Sequence, residues 1–318
     1  FRPAPFLRRM NMPLCQKNRE KRSKGSGKLQ KKSGRGKVGN EMKSCWLYNK
    51  TVIITGGASG IGGGIARLLI AEYACRVIAV IINDVGLDQT IRELGENSDK
   101  FICLHYDVSR YENWVEIKNY LESHSIQADV LINNAGIFPL FERFENTSRA
   151  DLEKCLNVDF YSVAYSIQVM YPHISRSDTP AFVTVASSAA LAPLAGTSLY
   201  TAAKSASKAL TECFACEHPE MYVGCVCPGF TKTNLFAGQK EEMTENKLIS
   251  AFMSKRDRMV KKIVRGIRRK KRRMVYGADA KVMGFLYRLF PKSSPRFFRW
   301  IMKISKQRLF EDIFTAQP

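Results

Sequence analysis

From Thr51 onward the chain alternates two kinds of apolar pattern. TVIIT (51–55), RVIAVII (76–82), KFICLHY (100–106), ADVLINN (128–134), PAFVTVAS (180–187) and MYVGCVC (221–227) are short, nearly continuous apolar runs. Between them lie stretches whose apolar residues recur three and four apart: IARLLIAEY, LDQTIREL, ENWVEIKNYLES, a long stretch over about 149–175, and another from about Ser198. The first kind predicts strands and the second amphipathic helices. Strands that are apolar throughout, instead of alternating, are covered on both faces. Regular alternation of such strands with helices predicts an α/β fold, a doubly wound parallel sheet in a single domain. RRMVYG (272–277) is the candidate last strand, and no internal repeat is evident.

Charge divides the chain differently. The net charge is +21 over 318 residues, but residues 1–50 hold fifteen Lys/Arg against two acids, and residues 255–310 hold twenty against two. The stretch between them is mildly acidic, so a globule with two basic ends is expected. Residues 1–41 are Gly, Ser, Lys and Arg without apolar periodicity and read as a disordered tail. The chain does not begin with Met, and Met42 stands as a candidate natural start. Upstream sequence without a role, a basic targeting peptide to an organelle and a nucleic-acid-binding arm are the readings of that tail.

Nine cysteines show no metal-ligand spacing, because the single CxxC of Cys213 and Cys216 has no second pair or His partner. No metal is expected. Cys75, Cys103, Cys225 and Cys227 fall in strand-like runs and read as buried small hydrophobes, which favours a reducing, cytoplasmic compartment. No apolar run is long enough for a spanning helix.

Two motifs carry chemistry. TGGASGIG (55–62) lies between the first predicted strand and the first predicted helix. Gly56 allows a sharp turn, Gly60 lets backbone approach a pyrophosphate, and Gly62 permits close helix–strand packing, with the helix N-terminus facing the anion. The second motif is Tyr200 four residues before Lys204, with Ser187 upstream at the end of the fifth predicted strand. That spacing puts phenol and ammonium on one helical face, at the sheet edge where such folds bind ligands. Reduction of a carbonyl requires a hydride to carbon and a proton to oxygen. Tyr200 is suited to exchange the proton, and Lys204 is expected to lower its pKa by favouring the phenolate. Ser187 is suited to hold the substrate oxygen, with Ser188 as the alternative.

Together these residues resemble the short-chain dehydrogenase/reductase family, with its Thr-Gly-x3-Gly-x-Gly turn and Tyr-x3-Lys pair, over about residues 46–277. The resemblance implies a Rossmann-type catalytic domain there, flanked by a basic tail (1–45) and a basic amphipathic extension (278–318). It implies an oxidoreductase interconverting an alcohol and a ketone or aldehyde with NAD or NADP. Ser187, Tyr200 and Lys204 take the family's catalytic roles. Thr55, Gly56, Ser59, Gly60, Ile61 and Gly62 become cofactor contacts. So do Asp107 and Val108 after the third strand, Asn134, Ala135 and Gly136 after the fourth, Pro228, Gly229, Thr231 and Thr233 after the sixth, and Tyr200 and Lys204 themselves. A homo-oligomer is expected.

Two positions depart from the family pattern. The family's fourth active-site residue is an Asn, but LNVDFYSV aligns Asp159 there, with Asn157 on another helical face. A carboxylate only accepts hydrogen bonds, so Asp159 is expected to perturb Lys204 and to alter the proton relay. A non-catalytic NAD(P)-binding scaffold is therefore the competing reading, and a nucleic-acid-binding protein using both basic ends is the third. At the tip of the second strand, where an acid selects NAD and an Arg selects NADP, stand Ile81 and Ile82, with Asn83 or Asp84 beyond. Cofactor choice stays open.

The segment after Phe236 is polar and then strongly basic. Residues 281–310 interleave Phe, Trp, Leu and Ile with Arg and Lys, the composition of a helix lying in a membrane interface. A lid or oligomer contact is the equal alternative. No nucleic-acid module is recognisable, so nucleic acid is not the expected partner. The loop over about 230–255 is expected to cover the substrate, and its Leu235, Phe236, Leu248, Ile249 and Phe252 hint at an apolar, lipophilic one.

Overall fold

The computed structural model describes residues 45–233, 235, 254–305, 307 and 310–314. The tail over 1–41, Met42, and Phe236, Leu248, Ile249 and Phe252 of the expected substrate loop lie outside the described residues. Seven strands form one sheet: β1 (Thr51–Thr55), β2 (Arg76–Ile81), β3 (Phe101–His105), β4 (Val130–Asn133), β5 (Ala181–Val185), β6 (Tyr222–Pro228) and β7 (Arg273–Tyr276). Their order is β3-β2-β1-β4-β5-β6-β7, and every pairing is parallel. The chain winds outward from β1 to β3, then returns to lay β4 on the other side of β1. This reversal leaves a crevice at the C-terminal ends of β1 and β4, where ligands bind in open α/β sheets.

The period-2 geometry of the strands sorts one continuous apolar run into two cores. Val52 and Ile54 of β1, Val130 and Ile132 of β4, and Val183 of β5 point to one face. They meet Ile65 and Leu69 of α1 (Gly60–Tyr73) and Met259, Ile263 and Ile267 of α7 (Arg256–Arg268). Ile53, Leu131, Phe182 and Val223 point to the other face. There they meet Trp114 and Ile117 of α3 (Tyr111–Ser123), Met170 of α5 (Ser162–Ile174) and Phe214 of α6 (Ser198–Glu217). Each fully buried side chain of this kind stabilises the fold by about 1.5–3 kcal/mol. α2 (Leu87–Leu94) covers the outer edge by β2.

The long helix expected over about 149–175 is not uniform. α4 (Arg149–Leu156) and α5 are joined by one turn of π-helix, Asn157–Tyr161. Such a turn holds one extra residue, and here that wider loop of backbone contains Asp159. Beyond β7 the chain adds α8 (Ala278–Leu289), α9 (Ser294–Ile304) and α10 (Glu311–Phe314). Cys75, Cys225 and Cys227 are buried as expected, whereas Cys103 is only half-buried because it lies on β3 at the sheet edge.

Candidate functional site

The Gly-rich turn joins β1 to α1. Gly56 (φ +65°) and Gly60 (φ +56°) both take left-handed backbone that other residues rarely adopt. A Cβ at Gly60 would meet nothing nearer than Thr233 Cβ at 3.8 Å, so this backbone opens directly onto the crevice. A Cβ at Gly62 would instead strike the carbonyl of Gly56 and the Asn134 amide. The turn is tied to β4 by Thr55, whose Oγ1 accepts from the backbone N–H of Asn134 and of Ala135, each at 2.9 Å. Asn134 Nδ2 returns a hydrogen bond to Thr55 O at 3.0 Å.

A cavity of about 490 Å³ opens along this turn. Gly56, Ser59, Gly60 and Ile61 line one end, together with Asn83 and Val85 from beyond β2. Asn134, Ala135 and Gly136 after β4, and Pro228, Gly229, Thr231 and Thr233 at and after the end of β6, also line it. Ser187, Ser188, Tyr200 and Lys204 line it too, and Phe138, Phe141, Leu194 and Phe230, packed in one cluster, make its apolar part. A glycine cradle under a helix N-terminus, with Ser59 making no capping bond of its own, fits a dinucleotide pyrophosphate.

Tyr200 and Lys204 lie on α6, 5% and 4% exposed, with the ammonium 5.8 Å from the phenol ring centre. The Ser187 hydroxyl favours the Tyr200 phenolate and lowers the phenol's pKa. Ser187 is fixed in turn by the short helical turn it caps, accepting from Ala189 N–H at 3.2 Å. Phe138 packs on Tyr200 with ring centres 4.7 Å apart.

Asp159 does not line the cavity. It sits behind Lys204, wholly removed from solvent, with Oδ1 3.1 Å from Nζ. Oδ1 also accepts from Ile137 N–H at 3.0 Å, and Oδ2 accepts from the Cys155 thiol at 3.4 Å. The Asp159 backbone carbonyl accepts from the Ser207 hydroxyl. Burial pushes the Asp159 carboxyl up, against the pull of Lys204 and of the Ile137 N–H. Burial is the largest single influence on Lys204 and pulls it down, but the Asp159 charge and hydrogen bond, together with Tyr200 and Cys155, outweigh it and Lys204 ends above its ordinary value.

The phenol departs from expectation. Burial raises the Tyr200 pKa, Lys204 opposes this, and Asp159 adds to it, so the net shift is upward. The expected lowering by Lys204 is present but smaller than the desolvation of a buried phenolate.

Other expected contacts fall off the cavity. Thr55 and Gly62 support the turn from behind. Asp107 and Val108 follow β3, two strands away from β1. Asp107 Oδ1 accepts from Ser109 N–H and Oγ–H, and the Val108 carbonyl accepts from Trp114 Nε1 at 2.9 Å. At the β2 tip Ile81 is buried in the sheet, Ile82 points to solvent, and Asp84 pairs with His105 at 2.7 Å. That leaves the neutral Asn83 facing the cavity. Asp279 was not anticipated: from α8 its Oδ2 accepts from Phe230 N–H at 2.6 Å and pins the loop after β6. No local motif marks it, because its partner lies 49 positions away. Among the described residues no cluster of His, Cys, Asp and Glu is arranged to hold a metal.

The chain is similar to known proteins in sequence and in fold. The chain is 30% identical over 199 residues to 3beta-hydroxysteroid dehydrogenase 2 of Eggerthella lenta, covering 61% of this chain and 76% of that one. It is 30% identical over 202 residues to 11-beta-hydroxysteroid dehydrogenase 1A of Arabidopsis thaliana, covering 61% of this chain but only 55% of the plant protein's length. The fold superposes on that of 4-hydroxyisoleucine dehydrogenase complexed with NADH, with a TM-score of 0.64 and 23% identity, covering 74% of this chain and 99% of that one. The family model for short chain dehydrogenase matches residues 50–244, from the first strand through the Tyr200 helix and past β6. More than half of the chain is thereby accounted for, and it belongs to the short chain dehydrogenase family.

Proposed function

We propose that this protein interconverts an apolar secondary alcohol or primary alcohol with its ketone or aldehyde, using NAD or NADP. One observation carries the reading: Tyr200, Lys204 and Ser187 share a cavity with the glycine turn at the sheet's switch point. The hydroxysteroid dehydrogenases to which the chain is similar, and the NADH in the superposed structure, support it.

When bound, the nicotinamide supplies or takes the hydride. In reduction, Tyr200 gives its hydroxyl proton to the carbonyl oxygen as the C=O π electrons move onto that atom. In oxidation, the Tyr200 phenolate takes the proton back from the alcohol. Ser187 donates a hydrogen bond to the same oxygen and holds it beside the phenol. Lys204, kept protonated by Asp159, opposes the cost of a buried phenolate. Asp159 lies off the cavity lining, against Lys204, and acts through it as a positioning residue. Gly60 and Ile61 offer backbone N–H groups to the pyrophosphate, and Ser59 a hydroxyl. Phe138, Phe141, Leu194 and Phe230 favour an apolar substrate body.

The test is turnover of lipophilic ketones and aldehydes with NADH and NADPH, followed by cofactor absorbance, with cofactor binding followed by fluorescence. Binding and turnover in the wild type, with binding alone in Tyr200→Phe, supports the reading. Binding without turnover of any carbonyl in the wild type supports a cofactor-binding scaffold instead.

A further inference from the structure

The helices beyond β7 have two apolar faces each. Their inner faces are absorbed by the fold. Met283 and Phe298 pack with Ala192 and Leu194, and Met302 packs with Phe141. Leu194 and Phe141 line the cavity, so α8 and α9 stand against its apolar part. Their outer faces have no cover among the described residues. Phe285 and Leu289 on α8, and Phe297, Trp300, Ile301 and Ile304 on α9, are each 42–61% exposed. The α9 residues recur at i, i+3, i+4 and i+7, the spacing of one helical stripe, and Phe297 stacks on Trp300 with ring centres 6.1 Å apart. Soluble proteins rarely leave so many large apolar side chains together in water.

Charge indicates what covers them. Lys281, Arg288, Lys292, Arg296, Arg299 and Lys303 alternate with these apolar residues along the sequence and all six are exposed, Arg299 lying 5.2 Å from the Phe314 ring centre. The one acid of these two helices, Asp279, is turned inward onto Phe230 N–H. A helix with aromatics and aliphatics on one face and cations along its flanks fits the interfacial plane of a bilayer, rings at headgroup depth and cations on anionic lipid. Isologous pairing of two copies would oppose six cations to six. The chain's own residues 1–44, with fourteen Lys/Arg and two acids, carry the same sign and are repelled.

We infer that α8 and α9 form a docking surface for an anionic membrane, beside the apolar part of the cavity. The surface is independent of the chemistry at Tyr200, and its test does not use turnover.

The full chain is sedimented with vesicles of phosphatidylcholine alone and with added phosphatidylglycerol, at low and at high salt. Trp300 fluorescence is followed with brominated acyl chains as quencher. Binding at least about tenfold tighter to the anionic vesicles, weakened by salt, and quenching that disappears in Trp300→Phe, are expected. The exposed triple variant Phe297→Ser/Trp300→Ser/Ile301→Ser, shown to be folded by circular dichroism, is expected to lose about tenfold or more in affinity. Lys292→Gln/Arg296→Gln/Lys303→Gln is expected to lose the preference for anionic lipid. Sedimentation of the serine variant equal to wild type would assign the binding to another basic surface and overturn the inference. So would unquenched Trp300, a self-association in ultracentrifugation that the serine variant abolishes, or tighter binding to single-stranded oligonucleotide through the same three residues.

Discussion

The Asp159 carboxylate and the Lys204 ammonium, 3.1 Å apart and both shut away from water, neutralise one another behind the Tyr200 phenol. The pair sets how much of the lysine's charge the phenol feels. The groups that act on the Tyr200 pKa are Lys204, Asp159, Ser187 and Cys155, and of these Asp159 and Cys155 push it the same way as burial.

Asp159→Asn removes one cause that raises the Tyr200 pKa, and while the Tyr200 phenolate and Cys155 still favour a charged Lys204, the lysine's lowering pull acts with less opposition. The phenolate then forms at lower pH. The rising limb of alcohol oxidation, kcat/KM against pH, is expected to move to lower pH. Carbonyl reduction, which needs the phenol protonated, is expected to fall off at lower pH as well. A shift of either limb to higher pH would show instead that Lys204 loses its charge without Asp159.

Tyr200→Phe removes the exchangeable proton and little volume. We expect kcat to fall by about 10²–10⁴, the usual worth of a matched acid–base group. Cofactor affinity measured by fluorescence is expected to change little.

Asn83 is the polar side chain at the β2 tip that faces the cavity, and it carries no charge. Asn83→Asp is expected to shift preference toward NAD by roughly tenfold, because a carboxylate accepts from the ribose hydroxyl and repels a 2′-phosphate. Asn83→Arg is expected to shift it as far toward NADP. The ratio of kcat/KM for the two cofactors reads both.

Asp279→Ala frees the Phe230 N–H and the loop that carries Gly229, Thr231 and Thr233. Loss of a hydrogen bond to a charged acceptor costs about 1.5–3 kcal/mol. The cofactor KM is expected to rise by about tenfold or more, with kcat less affected. Asp279→Asn is expected to recover part of it, because its amide oxygen still accepts.

Ile313 is buried against Phe141 and the cavity-lining Phe138, Leu194 and Phe230. Ile313→Ala leaves a cavity of the kind that costs about 2–5 kcal/mol in a rigid core. α10 is a helix of four residues, so local detachment is expected before global unfolding. The carbonyl KM is expected to rise while the cofactor KM and the melting temperature hold.

The strands and most helices were legible because each is set by a local period of apolar residues, and burial on both faces rewards that period wherever the chain turns. The glycine turn was legible for a similar reason, since backbone freedom belongs to the residue itself. The break in the helix over about 149–175 was not legible. LNVDFYSV has ordinary helical composition, and the π turn places Asp159 against a lysine 45 residues later.

Sequence alone determined the sheet, its two cores, the switch-point turn and the set of chemical groups. Tertiary structure decided which of them meet and how each titrates. It drew Asp159 off the cavity and onto Lys204, raised a phenol that spacing alone would have lowered, left Asn83 rather than Asp84 facing the crevice, and brought Asp279 to Phe230. Desolvation and long-range hydrogen bonding depend on what surrounds a group in space, and residue order constrains that only through the completed fold.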